Sequence, residues 1–121
     1  MRAFVLLLSF LAAVAHADLN PLEARAVAIF KELVEIDTTD ATGDNTAAVK
    51  AAAAHLLAAG FAPEDVRVIE PAPRKGNLVA RYRAPVPTAR PILFLAHIDV
   101  VPANPEDWTV EPFKLLERDV V

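Results

Sequence analysis

Apolar residues recur at three- and four-residue spacing through Leu22, Ala26, Ile29, Phe30, Leu33 and Val34. This predicts an amphipathic helix reaching about Ile36, with Lys31, Glu32 and Glu35 mostly off the apolar face. Its start is marked by three residues. Asn20 can cap it, Pro21 stands where a missing N–H costs nothing, and Glu23 completes the spacing of a capping box. The polar stretch Asp37-Thr38-Thr39-Asp40-Ala41-Thr42-Gly43 then breaks the pattern, with Gly43 free to take a positive φ. A second, alanine-rich helix is predicted over residues 45–59, stopped by Gly60. Val49, Ala52, Ala53, Leu56 and Leu57 form its predicted packed face.

Beyond Gly60 the period shortens towards two. Residues 66–70 and 77–83 read as strands, joined by the loop Pro71-Ala72-Pro73-Arg74-Lys75-Gly76. After a stiff Pro/Ala-rich connection over residues 84–90 comes Pro91-Ile92-Leu93-Phe94-Leu95-Ala96. That unbroken apolar run suits a central strand covered on both faces. The order helix, helix, strand, strand, strand defines an α/β chain.

The run empties into His97-Ile98-Asp99-Val100-Val101-Pro102. Alternate side chains of an extended segment share a face, so His97 and Asp99 are expected to project together. Open α/β sheets place ligand sites just beyond the carboxyl ends of their strands. Imidazole is a good zinc ligand, and a neighbouring carboxylate is the usual partner that fixes its tautomer and angle. A His-x-Asp triplet alone is a weak signal; its setting strengthens it.

Trp108 follows in the next loop, and Pro112-Phe113 a few residues later. With these, the chain resembles the co-catalytic zinc metallopeptidases that include aminoacylases, acetylornithine deacetylases, succinyl-diaminopimelate desuccinylases and glutamate carboxypeptidases. The resemblance is sharp over residues 91–119 and looser, in element order only, over residues 21–83. It implies a catalytic domain with a mixed sheet flanked by helices, and hydrolysis of amide bonds in N-acyl amino acids or small peptides. It also implies two zinc ions in the complete enzyme, which polarise the carbonyl and lower the pKa of a bridging water. His97 would be a metal ligand and Asp99 the catalytic carboxylate that steers its ring. Trp108 and Phe113 would anchor their loop to the core, and Asp119 matches a non-ligand turn position.

The remaining ligands and general base of that family would follow Asp119, where this chain reads Val120-Val121. Residues 18–121 are therefore expected to be the front of a catalytic domain without its lid or dimerisation domain, inactive alone. A secreted binding module and a truncated gene product remain open alternatives, as do substrate and oligomeric state.

Composition and the remaining motifs complete the picture. Arg2, the apolar stretch over residues 3–14 and Ala15-His16-Ala17 make residues 1–17 a cleavable export signal, expected to deliver the chain to the periplasm or exterior. That stretch is shorter than the about 20 residues a membrane span needs, so no membrane association is expected after cleavage. A net charge of −4 without a Lys/Arg cluster argues against a nucleic-acid partner, and the absence of cysteine rules out disulfides and thiolate metal sites. His16 belongs to the signal and His55 reads as a helix-surface residue, which leaves His97 as the metal histidine. Arg74, Lys75, Arg81, Arg83 and Arg90 read as solvated charges, because no glycine-rich phosphate cradle accompanies them.

Overall fold

The computed structural model describes residues 19–117, so residues 1–17, expected as an export signal, and Asp119 lie outside the described residues. Helix α1 runs Pro21–Val34 and helix α2 Asn45–Ala58. The α1 cap forms in full: the Asn20 side chain accepts from the Leu22 and Glu23 amides, and Glu23 reaches back to the Asn20 amide. Helix α2 is capped by Asp44, whose carboxylate accepts from the Ala47 amide. Gly60, at φ 92°, turns the chain out of α2 in the left-handed region that glycine adopts freely.

Strands β1 (Val66–Ile69) and β2 (Asn77–Ala80) pair antiparallel, with Val66 opposite Ala80 and Ile69 opposite Asn77. Both are shorter than their sequence pattern. A strand lasts only as long as its partner, and the Pro63–Asp65 turn ends β1 where residues 81–83 would need a neighbour. A bond from the Arg81 amide to the Asp65 carbonyl, 2.9 Å, continues the pairing by one step, and Arg83 clasps the buried Asp65 carboxylate.

Helix α2 is the spine of this unit. It packs on both strands, and α1 packs against it. Ala48, Val49 and Ala53 form the buried core, joined by Thr46. The predicted face is thus rotated: Leu57 is exposed, while Thr46 and Ala48 are buried instead. Its small side chains allow the hairpin to approach closely. At Gly76, an added Cβ would lie 2.7 Å from the Thr46 Cα and 2.9 Å from a Val49 methyl. Helix α1 buries none of its residues, and Leu22 and Phe30 of its apolar stripe face solvent. Its one helical neighbour covers only part of that stripe. His55 is more engaged than its sequence setting suggested: it pairs with Glu32 of α1 at 2.5 Å.

The largest departure from expectation is the third strand. Residues 91–97 are not a strand of the sheet, and Ile92, Leu93, Phe94 and Leu95 are each about four-fifths or more exposed. Among the described residues no extended segment lies beside them to supply a ladder. Instead of a mixed sheet flanked by helices, the described architecture is a two-stranded antiparallel hairpin with two helices, a small α/β unit followed by residues 84–117, which hold one isolated bridge and one short helical turn. No helix among the described residues is long and apolar enough to cross a membrane.

Candidate functional site

Although residues 91–97 form no ladder, His97 and Asp99 meet at their end. The His97 Nδ1 lies 3.1 Å from the Asp99 carbonyl oxygen and 3.5 Å from the Asp99 Oδ1. A carbonyl oxygen can only accept, so this hydrogen bond requires the proton on Nδ1. The Nε2 lone pair is then the free one, as a metal-binding imidazole needs. Both side chains are open to solvent, His97 at 86% and Asp99 at 67% exposure, rather than facing a shared concavity. The surface depressions lie elsewhere, one beside Phe61 and Tyr82, the other between Leu22, Ile29 and Leu56. No element among the described residues stands over the histidine side of the segment.

Behind the pair, the connection between α1 and α2 closes on itself. Asp37 accepts from the Thr39 amide at 2.9 Å and from the Thr42 hydroxyl at 3.0 Å. These bonds, led by the one from the Thr39 amide, hold the Asp37 carboxyl below the usual aspartate range against the opposing effect of burial. Gly43 donates to the Thr39 carbonyl at 3.1 Å, and Asp44 to the Asp37 carbonyl at 2.7 Å. Gly43 takes no positive φ here. Its role is close approach, since a Cβ would come within 2.6 Å of the Thr38 carbonyl carbon.

The hairpin loop grips this connection from the other side. Arg74, left-handed at φ 63°, donates from its guanidinium to the Thr42 and Gly43 carbonyls at 3.0 and 3.3 Å. Lys75 donates to the Asp40 carbonyl at 2.8 Å and also binds its carboxylate. Arg74, Lys75 and Arg83 are therefore structural ties, not merely solvated charges. From this closed loop the Thr38 hydroxyl donates to the Ile98 carbonyl at 2.8 Å, and Thr39 forms a parallel bridge with Val100. The sequence reading passed over both threonines as part of a polar break.

The loop that follows does less than expected. Asn104 caps a short turn over Pro105–Asp107, and Trp108 is more than half exposed, so it does not anchor the loop to a core. Phe113 is half-buried with a left-handed backbone at φ 58°. Zinc in a catalytic site takes about three protein ligands and keeps a position open. Among the described residues, no three His, Cys, Asp or Glu side chains converge on such a point. The described residues alone do not fit a zinc centre.

The described unit is thus a small α/β piece presenting an oriented histidine–aspartate pair. A stretch of 33 residues is 58% identical to the N-fatty-acyl-amino acid synthase/hydrolase PM20D1 of Homo sapiens, covering 27% of this chain and 7% of that protein. The protein of the same name from Xenopus tropicalis is 66% identical over 29 residues, 24% of this chain and 6% of its own length. That from Mus musculus is 54% identical over 33 residues, 27% of this chain and 7% of its own length. The match is local and spans under a tenth of each relative. No protein-family model matches the chain, and no solved structure matches it.

Proposed function

We propose that this chain carries one part of the catalytic site of a zinc-dependent amide hydrolase acting on N-acyl amino acids or small peptides. The observation that carries the reading is the local identity to N-fatty-acyl-amino acid synthase/hydrolases, 58% over 33 residues for the human protein. The geometry of His97 supports it: Nδ1 faces the Asp99 backbone carbonyl at 3.1 Å with the Asp99 carboxylate at 3.5 Å, which leaves Nε2 as the free nitrogen. In this reading His97 is a metal ligand, and Asp99 is the carboxylate that orients its ring and raises its basicity. The other donors and the general base lie outside the described residues. The helix–hairpin unit belongs to the catalytic domain, and residues 1–17 export it to the periplasm or exterior.

A chimera tests this. The segment from His97 to Phe113 replaces its counterpart in the human relative, and hydrolysis of an N-fatty-acyl amino acid is measured. The chimera should remain active, His97→Ala should abolish turnover, and Asp99→Asn should lower it about 10–100-fold, the usual cost of losing a ligand's carboxylate partner. Near-parental rates in His97→Ala would remove the assignment.

A further inference from the structure

We propose that Thr38 is the positioning residue of the His97–Asp99 pair. The peptide between two residues spaced i, i+2 decides whether their side chains meet, and here the Ile98 carbonyl is the group that turns with it. That carbonyl accepts the Thr38 hydroxyl at 2.8 Å, across sixty residues of sequence. The next residue but one, Val100, is paired with Thr39. This hydrogen bond and the Thr39–Val100 bridge both join residues 84–117 to the helix–hairpin unit.

The anchor is buried where the anchored segment is not. Thr38 and Thr39 are each only 3% exposed, whereas His97 and Asp99 stand in solvent. Asp37, Thr42 and Gly43 fix Thr39, the neighbour of Thr38, from within their own loop, and Arg74 fixes that loop from the hairpin. An exposed segment has little packing to hold it. A buried hydroxyl on a braced loop supplies the missing constraint, and with it the angle at which the free His97 Nε2 is presented. The functional meaning of this device rests on the reading of His97 as a ligand; the positioning itself does not.

The test uses the full chain, labelled for NMR, as the parent, Thr38→Val, which keeps the shape and loses the donor, and Thr38→Ser, which restores the donor. Backbone order parameters for residues 98 and 99 should be about 0.85 in the parent, fall below about 0.6 in Thr38→Val and recover in Thr38→Ser. Amides of α2 and the hairpin should be unchanged. Equal order in the parent and Thr38→Val, or no recovery in Thr38→Ser, overturns the proposal. If Thr38→Val does not fold, the parent alone decides. Nuclear Overhauser contacts from the Thr38 methyl to Ile98 and Val100 must be present, and their absence overturns it.

The ligand reading is decided separately, by the rate of His97→Ala in the chimera. Loss of order in Thr38→Val with near-parental rates in His97→Ala upholds the positioning and removes the ligand reading. Unchanged order in Thr38→Val with turnover abolished in His97→Ala does the reverse.

Discussion

Residues 20–80 and residues 84–117 carry comparable apolar content and behave in opposite ways. In the first region most elements find a neighbour: Asn20 and Asp44 cap the helices, β1 and β2 pair, and α2 buries Ala48, Val49 and Ala53, although α1 is covered only in part. In the second, Ile92, Leu93, Phe94 and Leu95 form the most apolar run among the described residues, and all four are exposed. Hydrophobicity states a demand for burial. It does not supply the surface that meets the demand, and in this chain the more modest region is the better satisfied one.

The comparison breaks most sharply where the first region has no room. At Gly76 an added Cβ would meet the Thr46 backbone, which cannot swing aside as a flexible side chain can. Gly76→Ala should therefore cost about 1–3 kcal/mol, the usual range for overpacking. Urea unfolding followed by far-UV circular dichroism would measure it. An unchanged midpoint would mean that α2 and the hairpin do not pack as described, and the contrast between the two regions would collapse.

What could be read in advance follows the same division. The capping box at Asn20 and the stop at Gly60 are local signals, and both helices stand within two residues of their expected ends. The strands at Val66 and Asn77 start where their alternation begins, but their length depends on pairing, which is not local. Residues 91–97 have the composition of a central strand and lack a partner among the described residues, so the correct sequence pattern led to the wrong element. The meeting of His97 with Asp99 needs only two-residue alternation and could be anticipated. The Thr38–Ile98 bond and the Glu32–His55 pair join residues far apart in the chain, and no periodicity announces them. A hint was present in Asp37-Thr38-Thr39, since adjacent β-branched hydroxyl residues between two helices suit a short extended edge better than a solvated turn.

Acid should sharpen the difference by loosening the first region. Asp37, Asp40 and Asp65 are held below the ordinary aspartate range, by the hydrogen bonds from the Thr39 amide, the Lys75 ammonium and the Arg83 guanidinium respectively. All three groups tie loops of that region together. Because the folded values are depressed, their stabilisation is complete above the unfolded aspartate value, about pH 4, and is lost as pH falls through the lower folded values. The urea midpoint should therefore be flat from neutral pH to about pH 5 and drop steeply below pH 4. Asp65→Asn should blunt that drop. A midpoint independent of pH across this window would show that these three carboxylate contacts, two ion pairs and the Asp37 hydrogen bonds, do not persist in solution.

The smallest expected effect on stability belongs to the most apolar residue of the second region. Phe94, at 87% exposure, contributes almost no burial to the fold. Phe94→Lys should leave the unfolding free energy within about 0.5 kcal/mol of the parent, as surface substitutions usually do. Its effect should appear in association instead. Ile92 to Ala96 is a five-residue stretch with no charge or proline, exposed and in no strand, which is the kind of segment that pairs with copies of itself. A lysine in the middle places like charges side by side in any such assembly and should shift sedimentation from concentration-dependent association towards monomer. If Phe94→Lys instead destabilised the chain by more than about 1 kcal/mol, beyond what an exposed site allows, the side chain would have to be packed in solution. The contrast between a satisfied first region and an unsatisfied second one would then be wrong at the residue where it is largest.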